Sequence, residues 1–189
     1  MKKFIAVACL VSTVAMGTGL AMADSIKGKL GVTGKMGLVL PADGDHNDTD
    51  AGLTGAVGLI YGLDDRFALE MDLTRSDFDS DEGDFDVTNL SIGAQYRFAL
   101  ADPQLTPFVG GGLGVLFSDG DRRDVDTTVG AYANAGVDYF LLKQLALTAE
   151  ARLVVAPDVD SRDKWDGTRR GDFDPSSFST TVGARYFFN

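Results

Sequence analysis

Between Thr128 and Val155 apolar residues alternate with small or polar ones at a period of two. Val129, Ala131, Ala133, Ala135, Val137, Tyr139 and Leu141 fall on one side, and Gly130, Tyr132, Asn134, Gly136 and Asp138 on the other. After Leu142-Lys143-Gln144 the alternation resumes, with Leu145, Leu147, Ala149, Ala151, Leu153 and Val155 opposed to Ala146, Thr148, Glu150 and Arg152. This predicts two antiparallel strands joined by a tight turn. The apolar side runs on for longer than an ordinary strand of about five or six residues needs. A wall with lipid outside and a narrow polar lumen inside has this pattern.

Six more segments alternate in the same way. In the first, Ile26, Leu30, Val32, Met36, Leu38 and Leu40 oppose Lys27, Lys29, Thr33 and Lys35. The second runs from Ala51 to Leu63 and turns tightly at Asp64-Asp65 into the third, where Phe67, Leu69, Met71 and Leu73 oppose Glu70, Asp72 and Thr74. Leu90, Ile92, Ala94 and Tyr96 oppose Gln95 and Arg97 in the fourth. The Gly-rich fifth is expected to turn Val109, Leu113, Val115 and Phe117 outward. The eighth sets Phe178, Val182, Tyr186 and Phe188 against Arg185 and Phe187. Long polar connections follow the odd strands, at 41–50, 77–86, 118–126 and 156–175, and short ones follow the even strands. The expected fold is all-β, an eight-stranded antiparallel up-and-down transmembrane β-barrel with both termini on the periplasmic, short-turn side. Tyr61, Phe67, Tyr96, Phe98, Phe108, Tyr139, Phe140, Tyr186, Phe187 and Phe188 gather near that side, as an interfacial girdle would. A soluble lipocalin-like barrel would alternate too, but a Gly-, Ala-, Ser- and Thr-rich face makes a poor aqueous exterior.

Residues 1–23 carry Lys2 and Lys3, an apolar run and Ala21-Met22-Ala23, the layout of a cleavable secretory signal peptide, which leaves residues 24–189 for the barrel. Cys9 would leave with it, so the mature chain has no cysteine for a disulfide or thiolate site. The full chain has 17 basic and 28 acidic residues, and losing Lys2 and Lys3 makes the balance more acidic still. Nucleic acid is excluded as a partner.

The segments PFVGGGLGV at 107–115, NAGVDYFLLKQLALTAEARLV at 134–154 and VGARYFF at 182–188 resemble the small outer-membrane β-barrel superfamily, which contains the OmpA-type transmembrane domain and the OmpX and OmpW barrels. The resemblance covers essentially the whole mature chain. It implies a Gram-negative cell envelope, localisation in the cell outer membrane, contact with its lipids and lipopolysaccharide, and insertion by the outer-membrane assembly machinery. Such barrels usually end on an aromatic residue, whereas here Asn189 follows Phe188. The periplasmic domain that follows an OmpA-type barrel is not expected, since the chain ends at its eighth strand. Members of the group serve as anchors, adhesins, narrow channels and lipid-modifying enzymes, so the likeness implies a fold more than a role.

The inward parity collects Lys27, Lys29, Lys35, Arg97, Arg152 and Arg185 against Glu70, Asp72, Asp138 and Glu150. Side chains just fill a barrel of about eight strands, so these ten are expected to neutralise one another as a lumen salt-bridge network. The expected role is structural or surface-interacting, with a mostly occluded lumen. The alternative is a porin-like narrow channel for small or hydrophobic solutes, as the OmpW resemblance implies, and a third reading is a lipid-A-modifying enzyme. No catalytic residue, cofactor or metal is assigned. A deacylase needs a Ser-His pair, and the sole histidine, His46, stands in an acidic loop. Of the 28 acidic residues, 20 lie in the four long connections, which makes divalent cations candidate partners. The spacing of Asp43, Asp45 and Asn47, or of Asp77, Asp79 and Asp81, lacks the glycine and glutamate of an EF-hand. Arg75 shares the outward parity near the loop end, where lipopolysaccharide phosphates would lie. In the last long connection, beside Trp165, Arg170-Gly171-Asp172 spells an integrin-recognition tripeptide, which recurs easily by chance.

Overall fold

The computed structural model describes residues 25–41, 51–78, 85–102, 104–120, 123–125, 127–157, 159–163, 169–173 and 176–188. The expected leader, His46, Trp165 and Asp43, Asp45, Asn47, Asp79 and Asp81 lie outside them. The strands are β1 (Leu30–Pro41), β2 (Gly52–Gly62), β3 (Phe67–Phe78), β4 (Phe85–Arg97), β5 (Leu105–Gly120), β6 (Arg123–Val125), β7 (Thr128–Leu142), β8 (Leu145–Val155), β9 (Val159–Asp163), β10 (Arg169–Phe173) and β11 (Ser177–Phe187). Eight of them close an antiparallel barrel in the order β1-β2-β3-β4-β5-β7-β8-β11, with β11 pairing back to β1.

The register fixes the shape of the barrel. From Lys35 it leads through Ala56, Thr74 and Asn89 to Leu116 on β5. In the other direction it leads through Gly183, Thr148 and Asp138 to Thr106, ten residues away on the same strand. For eight strands that stagger implies a tilt of about 40–45° and a backbone radius of about 8 Å. The interior is therefore only as wide as the side chains that fill it.

The outward positions form an apolar belt, with Met36 69%, Ile92 63% and Val182 62% exposed. So much exposed hydrocarbon on every barrel strand suits acyl chains, not water. Among the aromatics of the short-turn end, Phe67 and Tyr96 meet edge to face at 5.1 Å, Tyr96 and Phe98 at 4.9 Å, and Tyr186 and Phe188 at 5.2 Å. Phe108, Phe140 and Phe187, expected in the same girdle, are instead buried inside the barrel, each 1% exposed. Each stands on the inward parity of its strand, and parity outweighs closeness to the interface.

Two other expectations are corrected at the edges of the barrel. The first strand begins at Leu30, not Ile26, because Gly28 takes a φ of +73° and breaks the alternation. The chain before it folds under the barrel, with the Gly28 amide donating to the Gly62 carbonyl at 2.7 Å, and Ile26 is buried. The third and fourth long connections are not plain loops. β6 leads into β7, β8 leads into β9, and β10 leads into β11, so part of the barrel wall continues upward as a ribbon in the order β5-β6-β9-β10. The register of this ribbon sets Arg123 opposite Asp163 and Asp124 opposite Arg162. Segments with polar residues at both parities carry no apolar period, so periodicity cannot reveal them.

At the turn between β2 and β3, Asp64 accepts the amides of Arg66 and Phe67 at 2.7 Å each. Those two donors hold its carboxyl below the usual carboxylate range. The lipid-facing reading of the belt predicts a dependence on depth. Val182→Arg, in mid-strand, should cost about 2–4 kcal/mol, and Leu141→Arg, near the short-turn interface, about 0–1 kcal/mol, measured by denaturant unfolding in lipid vesicles.

Candidate functional site

Parity and the narrow bore bring most of the charged strand residues to one place. β1 contributes Thr33 and Lys35, β3 Glu70 and Asp72, and β4 Ser91, Gln95 and Arg97, all buried. β7 adds Tyr132, Asn134 and Asp138, β8 adds Thr148, Glu150 and Arg152, and β11 adds Arg185, also buried.

These side chains form two clusters. In the one nearer the long connections, Lys35 Nζ lies 3.3 Å from Asp72 Oδ2 and 3.1 Å from each carboxylate oxygen of Glu150. Arg152 donates from Nε to Glu150 Oε1 at 3.1 Å, from Nη1 to Ser91 Oγ at 3.3 Å, and from Nη2 to Asp72 Oδ2. Glu70 accepts from the Tyr132 hydroxyl at 2.7 Å, from Asn134 Nδ2 at 3.0 Å and from Gln95 Nε2. The Arg152 guanidinium lies 4.5 Å over the Tyr132 ring. In the cluster nearer the short turns, a single oxygen, Asp138 Oδ2, accepts from Arg97 Nη2 and Arg185 Nη1, both at 2.7 Å. Arg185 also donates from Nε to Thr33 Oγ1 at 3.1 Å and lies 5.4 Å from the Phe108 ring centre.

The balance of charge explains why such a set tolerates burial. Lys35, Arg97, Arg152 and Arg185 face Glu70, Asp72, Asp138 and Glu150, so the interior as a whole is neutral. The first cluster has three carboxylates on two cations, and the second has two cations on one carboxylate. Each excess offsets the other, which a low-dielectric tube requires. Room for the polar groups comes from glycine. A Cβ on Gly58 would strike Asp72 Oδ1, and one on Gly93 would strike the Tyr132 hydroxyl.

Apolar layers bracket the charges at both ends. Toward the short turns, Ile26, Ile60, Ala68, Phe140, Ala146 and Phe187 pack together, with the Phe140 and Phe187 rings stacked at 6.1 Å. Toward the long connections, Val39, Val87, Leu116, Tyr132, Val154 and Ala156 form a second layer. Between that layer and Arg152 lies a cavity of about 30 Å³, lined in part by Thr74, Ser76 and Asn89, with room for a water molecule or two.

Eight of the ten residues named from the sequence thus meet inside the barrel. Lys27 and Lys29 do not. They precede β1, on either side of the Gly28 turn, where Lys27 is exposed and Lys29 half-buried, so strand parity no longer governs them. Counting charges alone missed Tyr132, Gln95, Asn134, Ser91 and Thr33, although the same parity assigns them inward. Arg75 is outward and exposed as expected, but it is held by Asp77 at 3.3 Å and by Asp86. The Arg170-Gly171-Asp172 backbone lies within β10.

Asp138 gives the sharpest test of the interior. Asp138→Leu leaves two guanidiniums buried without their shared anion and should destabilise the refolded protein by about 3–5 kcal/mol in denaturant titrations. Removing one arginine together with the aspartate, as in Asp138→Leu with Arg97→Met, should recover part of that loss, because three cations then face three carboxylates and the interior stays neutral.

No curated protein matches the chain in sequence. Among solved structures it is similar to Neisserial surface protein A, at 17% identity and a TM-score of 0.66, over 84% of this chain and 97% of that one. It is also similar to the outer membrane protein OprG from Pseudomonas aeruginosa, at 14% identity and a TM-score of 0.68, over 86% and 97%. A third is outer membrane protein W of E. coli, at 19% identity and a TM-score of 0.53, over 86% and 98%. At such identities the likeness concerns the fold alone. The family model for the outer membrane protein beta-barrel domain matches residues 6–187, nearly the whole chain, and on that match the chain belongs to this family of the cell outer membrane.

Proposed function

We propose that this chain is a closed structural element of the outer membrane that works through its extracellular ribbon and loops rather than through its lumen. One observation carries the proposal: a neutral cluster of paired charges lies between two apolar layers, in a bore that side chains fill. A conducting path needs continuous water or polar groups that let a solute go. Here a solute would have to displace Phe140 and Phe187 at one end, separate Asp138 from two arginines, and part the Val39 layer at the other end. The salt-bridge network then serves to hold the barrel's cross-section. In this reading the chain is not an enzyme.

The partners follow from the surfaces. The apolar belt takes acyl chains, and the Arg75, Asp77 and Asp86 group sits near the outer headgroups, where divalent cations bridging to lipopolysaccharide phosphates would join carboxylates to lipid. Tyr186 and Phe188, near the end of the closing strand, offer the assembly machinery an aromatic alternation. Residues 1–23 act as the export signal.

Two measurements test this. Refolded protein in planar bilayers should give no stable conductance steps, and large, long-lived steps would establish the narrow-channel alternative. N-terminal sequencing of the form recovered from outer membranes should begin at Asp24, whereas an intact Met1 would show that the leader is retained.

A further inference from the structure

The eleven-stranded sheet ends at β10, whose outer edge pairs with no strand among the described residues. We propose that two copies of this chain join along that edge, β10 antiparallel to β10, across two apposed outer membranes. The inference rests on the extracellular ribbon being the working surface, and it names the partner as a second copy.

An unpaired edge presents a row of backbone donors and acceptors that another strand can complete. The order of residues in β10, Arg169-Arg170-Gly171-Asp172-Phe173, selects which strand. Antiparallel pairing centred on Gly171 sets Arg170 opposite the partner copy's Asp172, and Asp172 opposite the partner copy's Arg170. Gly171 meets its own counterpart, and Arg169 lies opposite the partner copy's Phe173. Opposite charges directly across an antiparallel pair attract, and like charges repel. Shifting the register by one residue leaves part of the strand unpaired, and parallel pairing opposes arginine to arginine and aspartate to aspartate. The strand is thus complementary to itself in the one register that uses all five residues, as an interface with two-fold symmetry requires.

The same features turn other strands away. The register against β9 slips between Arg169 and Gly171, which marks a bulge at Arg170, and a bulge hinders the docking of a regular strand.

Symmetry also gives the orientation. Two identical strands paired antiparallel are related by a two-fold axis normal to their sheet. The ribbon continues the barrel wall, because β10 runs on into β11 and β9 follows from β8. Its sheet therefore stands along the barrel axis, and the two-fold lies in the plane of the membrane. One barrel is inverted relative to the other, so the copies face each other from separate membranes.

The test uses the full chain, processed in a Gram-negative host and extracted in detergent, in a Cys9→Ser background. Gly171→Cys should form a disulfide-linked dimer on mild oxidation, because directly opposed positions lie within disulfide reach. Asp102→Cys, in an exposed turn at the opposite end of the barrel, is the control and should stay monomeric. Arg170→Asp should lower dimer formation about tenfold, since both attractive pairs become repulsive, and Arg170→Asp with Asp172→Arg should restore it. At about 0.15 M salt, where repulsion between acidic loops is screened beyond about 8 Å, vesicles carrying the wild-type protein should cluster and Arg170→Asp vesicles should not. The inference is overturned if the Gly171→Cys variant cross-links no better than the control, as when residues 42–50 or an unrelated strand cover the edge. It is also overturned if the charge swap fails to rescue pairing, or if cross-linking occurs without vesicle clustering. A barrel that neither conducts nor pairs would leave the proposed function standing and remove only this inference.

Discussion

A tube of roughly 8 Å backbone radius has no space for bulk water, so every charge placed inside it must find its counter-charge among the other inward side chains. The rest of the structure follows from this constraint. It explains why four cations meet four carboxylates, why one oxygen of Asp138 takes two guanidiniums, and why the cluster with surplus carboxylate lies beside the one with surplus cation. It also explains the uncharged company they keep. Tyr132, Asn134 and Gln95 donate to Glu70, whose own cation, Arg152, stands off at 3.8 Å. A carboxylate that cannot reach a cation closely must be solvated by neutral donors, which here take the place of water.

How far the sequence reveals this depends on how local the signal is. The alternation in segments such as Thr128–Leu142 can be read directly, because a period of two belongs to the strand itself and lipid on the outside leaves it uninterrupted. Eight strands, their order and the inward charges follow from it. What could not be read belongs to longer range. The inward turn of Phe108, Phe140 and Phe187 was masked by their position among interfacial aromatics, although their parity already pointed inward. The loss of Lys27 and Lys29 from the network comes from one residue, Gly28, whose left-handed backbone ends the alternation before the strand begins. The pairing of β6 with β9 joins two connections far apart in sequence, in segments without an apolar period. Which carboxylate serves which cation depends on depth along the axis, and only the register sets depth.

The apolar layers at the two ends of the barrel are built differently. At the short-turn end the layer is centred on two aromatic rings and uses a segment outside the barrel strands, since Ile26 joins Phe140 and Phe187 from beneath. Its fit is tight: a Cβ on Gly62 would strike the Ile26 carbonyl. At the long-connection end the layer is mostly aliphatic, with Tyr132 its one aromatic member, and lies beneath the point where β7 and β8 give way to β6 and β9. The ribbon strands β6, β9 and β10 are strongly polar and balanced in charge, with four arginines and four aspartates.

A barrel in lipid also lacks the hydrophobic core that stiffens a soluble protein, because most of its apolar side chains face outward. Stiffness has to come from contacts across the lumen. The ionic clusters run between strands that are not neighbours in the wall. Lys35 on β1 reaches Asp72 on β3 and Glu150 on β8, and Arg152 on β8 reaches Asp72. Lower down, Arg97 on β4 and Arg185 on β11 meet at Asp138 on β7. Six of the eight barrel strands are tied by these braces. The other two, β2 and β5, contribute no charge to them and are rich in inward glycine, which leaves the cross-members their space. Because ion pairs are directional and apolar contacts are not, braces of this kind hold the barrel to one cross-section as well as filling it.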